Sequence, residues 1–361
     1  MISLFNVKVA PEAVAYVNQV LLSTYLNEGE WVDKFESELS KLGLANPATL
    51  NSCTSALHLS LECINVRNYE VIIPAQTFIA TGTAVLQAGG YPVFADIDLN
   101  TGNTSAQHIE NRISKHTKAV IVVHWGGTPA DMDPIVALCK KHNLTLIEDA
   151  AHALGATYKG RAIGSIADYT CFSFQAIKFI TTGDGGAIAT PCKDRYEEIR
   201  ARKWFGYDRR TIKRTPEGDR ENLIDRLGYK YHMNNIEGAL GYGNILNIKE
   251  RLAKRRANAL RYLTELQMDG ITLLNPTYEC EPSYWIFTLM VENRRAFMEK
   301  LKAAGIASSV LDRRIDKNPI FDMGNLPNQD KFDMLQTSIP VHDDMTEEDV
   351  NHVISTIRSG W

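Results

Sequence analysis

The sequence predicts an α/β protein: a large domain with a mostly parallel sheet flanked by helices, followed by a smaller C-terminal α+β domain. Short, almost continuous apolar runs recur between about residues 71 and 190, which indicates strands buried on both faces. From about residue 245 the pattern changes to one long charged helix and then to mixed elements. A chain of 361 residues is long enough for two domains, which we predict at 1–245 and 246–361.

Two amphipathic helices open the first domain, at 11–22 and 32–42, because apolar residues recur there at helical spacing. The apolar runs that follow predict six strands and one helix among them: strands at 71–74, 92–97, 119–124, 144–149, 169–174 and 187–190, and a helix at 134–142. Polar residues stand where three of these strands end, namely His124, Asp149 and Ser173. Since open α/β sheets bind ligands at the carboxyl ends of their strands, we expect the functional site there.

The second domain is predicted to contain helices at 246–267, 294–304 and 346–359 and strands at 284–291 and 308–311. Thr346 and Asp349 have the spacing of a capping box at the start of the last helix. The polar stretch 207–222, with proline and glycine, predicts a mobile surface loop. The basic residues of the long helix are interpreted as a solvated helix face: Arg251, Lys254, Arg255 and Arg256.

Composition excludes several classes of protein. The net charge of −4 and the pI of about 6.2 imply no general affinity for nucleic acid. None of the six cysteines forms a CxxC pair or joins a His/Cys cluster with metal-ligand spacing, so no metal site is predicted and a reducing compartment fits. The sequence has no run of about 18 apolar residues and no N-terminal signal pattern. We therefore expect a soluble, cytoplasmic protein without a membrane segment.

The most informative residue is Lys178, because of what precedes and follows it. Asp149 ends an apolar strand, Lys178 comes 29 residues later (178 minus 149), and the glycine-rich turn 181–186 follows directly. A lysine that forms a Schiff base and an acid that pairs with the pyridinium nitrogen are what a protein needs to hold pyridoxal 5'-phosphate. Burial behind the apolar run 169–177 would lower the lysine pKa and make the amine a nucleophile. The alternative role for Asp149 is a helix N-cap.

Other residues around this pair suit the same cofactor. The segment 51–59 is typical of a loop that opens a helix, where Thr54 and Ser55 would bind a phosphate and Ser173 would add a hydroxyl. His152 would lie over the cofactor ring or near its phenolic oxygen, and Phe78 would stack on the ring. The alternatives are ordinary helix caps, a structural histidine and a core phenylalanine.

Together these residues resemble the DegT/StrS family of sugar aminotransferases, within the fold-type I, aspartate-aminotransferase-like pyridoxal-phosphate enzymes. The resemblance covers nearly the whole chain, and its most specific parts are 148–152 and 173–186. The stretch 228–233 resembles the family segment that crosses a dimer interface, with Lys230 where the family often has an asparagine that binds the neighbour's cofactor phosphate. Asp184 replaces the commoner glutamate of the glycine turn, and 309–314, near the substrate in the family, departs from the form of many members.

The resemblance implies a homodimer with shared active sites, in which Lys178, Asp149 and His152 are the catalytic residues. The implied reaction moves an amino group from L-glutamate (or glutamine) to a keto group of a nucleotide-linked deoxysugar, for cell-surface polysaccharide such as O-antigen or for other glycoconjugates. Lys178 would act as the general acid–base. Arg313 and Arg314, or residues of the 207–222 loop, would hold the nucleotide diphosphate, unless these arginines are simply surface residues.

Two alternatives remain open from the sequence. One is the same chemistry on a keto sugar without a nucleotide, such as a keto-octulosonate or a cyclitol. The other is a non-catalytic sensory or regulatory protein that keeps the fold. The intact set of Lys178, Asp149 and His152 argues against the second alternative. The presence of Lys178 also disfavours a branch of the family that has histidine in its place and catalyses dehydration.

Overall fold

The computed structural model describes residues 1–221 and 224–361 of the chain. Twelve α-helices lie in this part: α1 (Pro11–Ser23), α2 (Glu30–Lys41), α3 (Cys53–Ile64), α4 (Ile79–Gln87), α5 (Ala106–Glu110), α6 (Met132–His142), α7 (Lys193–Arg202), α8 (Asn235–Ile245), α9 (Ile248–Glu265), α10 (Arg294–Ala303), α11 (Pro327–Leu335) and α12 (Glu347–Arg358). Fifteen strands accompany them: β1 (Ala48–Leu50), β2 (Glu70–Pro74), β3 (Tyr91–Ala95), β4 (Thr117–Val123), β5 (Thr145–Asp149), β6 (Thr157–Tyr158), β7 (Arg161–Ala162), β8 (Tyr169–Ser173), β9 (Gly186–Ala189), β10 (Lys213–Arg214), β11 (Arg220–Glu221), β12 (Ile271–Leu273), β13 (Cys280–Glu281), β14 (Phe287–Val291) and β15 (Gln336–Ile339).

Seven strands form one sheet in the order β1-β9-β8-β5-β4-β2-β3. The five strands from β8 to β3 pair in parallel, whereas β9 pairs antiparallel with both β8 and β1. Successive side chains of a strand point to opposite faces. Accordingly, Val71, Ile73 and Ile121 belong to one buried cluster, while Ile72 and Val120 belong to another. Both faces of the sheet are covered, which confirms the predicted mostly parallel sheet flanked by helices.

A second, three-stranded sheet has the order β12-β14-β15 and is wholly antiparallel. Helices α9, α10 and α12 contribute Tyr262, Phe297 and Val353 to the buried cluster that includes Phe287 and Leu289 of the central strand β14. The predicted smaller α+β part is therefore present. Its last helix begins with the expected capping box, in which Thr346 and Asp349 bond each other's backbone N–H groups.

Several elements were not predicted or were predicted wrongly. The strand expected at 308–311 is absent, and Ser309 makes only an isolated bridge to Ser338. Instead β12 and β15 flank β14, at positions where the sequence has no long apolar run. The short edge strand β1 and helix α4 were also missed. Strand β1 has only three residues, and α4 contains a Thr-Gly-Thr stretch of weak helix formers.

Two segments cross the predicted division at residue 245. Ile2 forms a parallel bridge with Ile306, which brings the N-terminus onto the C-terminal part. In the other direction, β13 pairs with β6 at the edge of a small three-stranded sheet. The division into 1–245 and 246–361 remains a prediction, because these exchanges join the two parts through backbone hydrogen bonds.

The basic cluster of α9 is not a solvated face, so that interpretation was wrong for most of its members. Arg251 and Arg255 are buried, and their Nε atoms lie 2.7 and 2.8 Å from the two carboxylate oxygens of Asp343. Arg256 donates to the backbone carbonyl of Gly155 at 2.9 Å, and Gly155 lies between β5 and β6 in the first predicted domain. Buried charges require such partners. Lys254 alone of the four is exposed.

The polar stretch 207–222, predicted as a mobile surface loop, contains the short two-stranded hairpin of β10 and β11, and its last residue lies outside the described residues. Lys213 pairs with Glu221 in this hairpin, and Arg214 with Arg220. Among the helices of the described residues, none combines the length and apolarity that crossing a membrane would require.

Candidate active site

A cavity of about 310 Å³ opens at the carboxyl ends of the parallel strands, where the polar strand ends predicted a site. Strand β5 delivers Asp149 to it, strand β8 delivers Ser173, and the start of α3 delivers Ser52 and Thr54. Six of the predicted site residues line the cavity: Thr54, Phe78, Asp149, His152, Ser173 and Lys178. The sheet topology thus gathers residues that are far apart in the sequence.

Asp149 is buried, with 5% of its surface exposed, and is held by two donors. The Thr81 hydroxyl donates to Oδ2 at 2.7 Å, and the backbone N–H of Ala151 donates to Oδ1 at 3.2 Å. Burial raises the pKa of Asp149, and the Thr81 and Ala151 hydrogen bonds oppose that rise. Because Thr81 donates to Asp149, the 2.6 Å contact between the Thr77 and Thr81 hydroxyls leaves Thr77 as the donor to Thr81. Thr77, Thr81 and Asp149 therefore form a chain of hydrogen bonds that ends at the carboxylate.

Lys178 lies in the segment between β8 and β9, where its backbone N–H closes a turn onto Gln175. Burial lowers the pKa of its ammonium to about 8, against the attraction of Cys53, Asp149 and Asp312. The Nζ atom lies 3.6 Å from the ring centroid of Trp285. A lysine in this state is neutral in a large fraction of molecules near pH 8, which makes it a nucleophile and a proton acceptor.

His152 is buried with 6% exposure and stacks on Trp285, with the ring centroids 4.0 Å apart and the planes 22° apart. Burial lowers its pKa well below the usual range, and the charges of Lys178 and His124 act in the same direction. The imidazole is therefore neutral near pH 7. Its buried Nδ1 has no hydrogen-bond partner among the described residues, which leaves it available to a ligand in the cavity.

The start of α3 forms a polar end of the cavity. Ser52 is the N-cap, and its hydroxyl oxygen accepts from the Ser55 backbone N–H at 3.0 Å. Gly186 of β9 lets this turn approach the sheet, because a Cβ there would lie 2.4 Å from the Ser52 carbonyl carbon. Free backbone N–H groups at a helix N-terminus favour anions. Thr54 and Ser173 line the cavity near this end as predicted, and Ser52 joins them.

Phe78 is 58% exposed and lines the cavity. An aromatic ring of this kind in a core would be buried, so the core-packing alternative does not hold in this chain. The ring is open to stacking by a flat ligand. It immediately precedes α4, so the helix that carries Thr81 also fixes the position of Phe78.

Four predicted site residues do not line this cavity. Ser55 accepts a hydrogen bond at its Oγ from the Ser52 hydroxyl at 2.9 Å, as part of the helix cap. Lys230 is exposed and lies elsewhere on the chain's own surface. Arg313 is exposed and lines an adjoining cavity with Phe78. The guanidinium of Arg314 is buried, and its three nitrogens bond Asp316, Asp330 and the Gly324 carbonyl, which does not favour a substrate-binding role.

His124, another polar strand end, does not line the cavity either. Its Nδ1 accepts from the Ala130 backbone N–H at 3.0 Å, which leaves the hydrogen on Nε2, 3.3 Å from the Glu148 carboxylate. Both side chains are completely buried. Successive residues of β5 point to opposite faces of the sheet, so Glu148 points away from the face of Asp149. Of the two, only Asp149 lines the cavity.

Four residues of the site were missed from the sequence: Ser52, Thr81, Trp285 and Asp312. Thr81 lies in α4, a helix that the sequence did not predict. Trp285 was assigned to the predicted strand 284–291, where an aromatic residue indicates only core. Asp312 directly follows the strand wrongly predicted at 308–311, and within the stretch 309–314 only the two arginines were expected to bind substrate. Its positive φ of 40° is the kind of conformation that only the structure reveals.

The residues of the cavity fit pyridoxal phosphate. Asp149 is a buried carboxylate that a pyridinium N–H would pair with, and Lys178 is a buried amine of lowered pKa that would hold the aldehyde carbon. The α3 N-terminus offers backbone donors for the phosphate. Phe78 and His152 are flat rings on the cavity wall.

Comparisons with known proteins agree with this geometry. Residues 8–358 match the sequence profile of the DegT/DnrJ/EryC1/StrS aminotransferase family. The spore coat polysaccharide biosynthesis protein SpsC of Bacillus subtilis is 31% identical to this chain, over 97% of the chain and 94% of SpsC. The crystal structure of the sugar aminotransferase CalS13 from Micromonospora echinospora matches with a TM-score of 0.94 at 34% identity and covers 100% of both chains. The putative sugar aminotransferase Spr1654 from Streptococcus pneumoniae, in its PLP form, matches with a TM-score of 0.90 at 28% identity, over 99% of this chain and 98% of Spr1654.

Proposed function

The chain belongs to the DegT/DnrJ/EryC1/StrS aminotransferase family, whose sugar aminotransferases depend on pyridoxal phosphate, and on this premise we propose the reaction. We infer that it transfers an amino group from L-glutamate to the keto group of a nucleotide-linked deoxysugar. The observation that carries the proposal is the meeting of Asp149 and Lys178 in one cavity, with the α3 N-terminus at its edge. The name of SpsC supports a role in making cell-surface polysaccharide or glycoconjugate.

Each residue of the site has a distinct task in this proposal. When bound, pyridoxal phosphate supplies an electron sink that stabilises negative charge on the reacting carbon. Asp149 holds the ring nitrogen, and Thr81 keeps the Asp149 carboxylate in place. Lys178 Nζ takes the proton from the α-carbon of glutamate and later returns a proton, as a general acid–base. Its pKa of about 8 suits both directions of transfer.

His152 contributes a neutral ring to the cavity wall. Because its pKa is held well below the usual range, it does not place a second positive charge beside Lys178. Its free Nδ1 can accept or donate a hydrogen bond at the phenolic oxygen of the cofactor. Trp285 holds the other face of the imidazole and, through its indole N–H, bonds the Ile177 carbonyl at 3.1 Å.

A second chain would complete the site. Among the described residues that line the cavity, Lys178 is the only cation, whereas Asp149, Asp184 and Asp312 are acids. The carboxylates of glutamate need a cation, which Arg313 of this chain would supply, and Lys230 from a partner subunit would bind the cofactor phosphate. The apolar side chains Leu21, Leu22, Tyr25 and Leu26, at the end of α1, are 43–85% exposed and would be covered in a homodimer.

The nucleotide-linked sugar is the remaining part of the proposal. Arg313 lines a cavity of about 550 Å³ that shares Phe78 and Asp312 with the first. An exposed guanidinium next to a reaction cavity is suited to a diphosphate. Residues of the 207–221 hairpin are further candidates, since Arg209 and Arg210 lie at its base. We expect the enzyme to work in the cytoplasm, where nucleotide sugars are used.

The test is a substrate panel read by absorbance. Cofactor-loaded protein is converted to its pyridoxamine form with L-glutamate and then mixed with dTDP- and UDP-linked 4-keto-6-deoxyhexoses, with the same sugars lacking the nucleotide, and with keto-octulosonate and keto-cyclitols. We expect only a nucleotide-linked sugar to restore the visible band. Restoration by free sugars alone would replace the nucleotide substrate with the first alternative. No response even to glutamate would favour a regulatory protein.

A further inference from the structure

Asp312 lies at the junction of two cavities. It lines the cavity of about 310 Å³ that contains Lys178, and it also lines the adjoining cavity of about 550 Å³ that contains Arg313. A substrate that reaches Lys178 from the larger cavity passes this side chain. Asp312 has no part in the roles proposed for Lys178, Asp149 and His152.

The backbone of Asp312 is held in an uncommon conformation. Its φ of 40° lies in the left-handed region that disfavours most side chains, although aspartate and asparagine tolerate it better than others. Two completely buried glutamines, Gln76 and Gln336, donate their side-chain amides to the Asp312 carbonyl at 2.9 and 3.0 Å. Conformations of this kind persist where the surrounding structure fixes them, and they cluster at functional sites.

The Asp312 carboxylate, in contrast to its carbonyl, is without a hydrogen-bond donor among residues 1–221 and 224–361. Burial raises its pKa, while the charge of Lys178 acts in the opposite direction and that of Asp149 adds to the rise. The half-buried carboxylate lies on the walls of both cavities and is open to a hydrogen-bond donor of a ligand there. The two glutamines fix the backbone of Asp312 and leave its carboxylate free for this contact.

We propose that Asp312 is a specificity-determining residue whose carboxylate accepts a hydrogen bond from a ring hydroxyl of the keto sugar. The inference rests on the proposed function and names what the sugar must present at this subsite: a hydroxyl rather than a carboxylate. Glutamate occupies the same cavity in the other half-reaction, but it carries carboxylates that Asp312 repels. Asp312 therefore distinguishes the two substrates that use one cavity in turn.

The opposite effects on the two substrates provide the test. Asp312→Asn keeps the size of the side chain and tolerates the positive φ, but it removes the charge. The amide oxygen still accepts a hydrogen bond, so with a dTDP-linked 4-keto-6-deoxyhexose that discharges the wild-type pyridoxamine form we expect KM to rise roughly 5- to 10-fold, as when a charge-assisted hydrogen bond becomes a neutral one. The rate at low L-glutamate should stay the same or increase. Asp322→Asn, the same change at an exposed position, is the control.

Asp312→Gly separates this role from a structural one. Glycine adopts a positive φ at no cost, so we expect the thermal midpoint of the variant to be no lower than that of the wild type. The KM for the sugar should rise further than in Asp312→Asn, roughly 10- to 100-fold, because the hydrogen bond to a charged group is lost altogether. Equal impairment of both half-reactions in both variants, or no change in the sugar KM, would overturn the inference and leave the proposed function standing. If no keto sugar discharges the wild-type protein, the proposed function and this inference fall together.

Discussion

At Asp149, a single hydroxyl decides how a buried carboxylate is presented to the cavity. Thr81 donates to Oδ2 at 2.7 Å and is itself completely buried. This bond opposes the rise in pKa that burial causes. A protonated Asp149 would no longer pair with a pyridinium nitrogen, so Thr81 is a positioning residue for the whole reaction.

Removal of that hydroxyl should therefore slow the reaction more than it weakens the fold. We expect Thr81→Val, which keeps the shape, to lower the rate of the glutamate half-reaction roughly 10- to 100-fold, the equivalent of a hydrogen bond to a charged group. Thr81→Ser, which keeps the hydroxyl, should stay within a few-fold of the wild type. Stopped-flow absorbance measures both. Equal rates in the two variants would mean that the hydroxyl has no part in the reaction.

The lowered pKa of Lys178 gives a pH dependence with a definite sign. The amine bonds an aldehyde only when neutral, and its pKa in the folded protein is about 8 rather than 10.5. We expect the rate at which the cofactor-free protein captures pyridoxal phosphate to rise with pH through about 8 and to level off above it. The visible band after mixing at pH 6.5–10 reports this rate. A midpoint near the usual lysine value would show that Lys178 is solvated.

Asp149 and Lys178 were predictable from the sequence because polar residues in apolar surroundings stand out. Thr81 and Trp285 were not, because their roles depend on tertiary contacts. Thr81 acts on a residue 68 positions away, and Trp285 reaches the site from beyond the predicted domain boundary. Ser55 was preferred to Ser52 because two serines of one helix start look alike in sequence, whereas only the fold shows which one caps the helix.

At the scale of elements, the central strands of the large sheet were predicted well, whereas the edge and antiparallel strands were predicted poorly. Strands buried on both faces have apolar runs that no loop would have, which identifies β2, β4 and β5. Edge and antiparallel strands such as β1 and β15 are short and contain polar residues. Their existence depends on partners elsewhere in the chain, and the sequence alone does not identify those partners.

The start of α3 allows a matched comparison of two helix caps. Ser52 caps α3 beside the cavity, and Thr346 caps α12, which packs on the three-stranded sheet. Both helices have 12 residues. We expect Ser52→Ala and Thr346→Ala each to lower the free energy of unfolding by about 1 kcal/mol. Only Ser52→Ala should also raise the Kd for pyridoxal phosphate, roughly two- to tenfold, because Ser52 holds in place the helix start whose backbone N–H groups would bind the phosphate.

Denaturant unfolding and fluorescence titration with the cofactor measure the two effects. A cofactor Kd that is the same for Ser52→Ala and for the wild type would place the phosphate elsewhere. A Kd that rises equally in Thr346→Ala would mean that general loss of stability, rather than the helix start, weakens binding.

At the scale of the whole molecule, Lys178 is the only cation among the described residues that line the cavity of one chain, and we expect Lys230 from a second chain to bind the cofactor phosphate. Light scattering should give a mass of twice 40.4 kDa. Lys230→Ala should raise the Kd for pyridoxal phosphate even though Lys230 lies outside its own chain's cavity, because the lysine would act on the partner subunit. The exposed Lys254 provides the control, Lys254→Ala. A mass of one chain, or a Kd unchanged by Lys230→Ala, would remove the shared site.

The predicted division into two domains at residue 245 is crossed by segments from both sides. The N-terminal Ile2 joins the C-terminal part, and β13 joins the large part. The sequence suggests a division near residue 245 because short apolar runs give way there to a long charged helix. Backbone pairing between distant segments leaves no such signal, because hydrogen bonds of the main chain can be formed by almost any residue.

One measurement tests the central claim that Asp149 and Lys178 form a pyridoxal-phosphate aminotransferase site. The absorbance spectrum of the cofactor-loaded protein is recorded before and after L-glutamate, beside Lys178→Ala as the control. We expect a visible band in the wild type that fades with glutamate as the pyridoxamine form appears, and no lysine-bound band in Lys178→Ala. A wild-type protein that shows no band when supplied with cofactor, or the same band in Lys178→Ala, would contradict the assignment of Lys178.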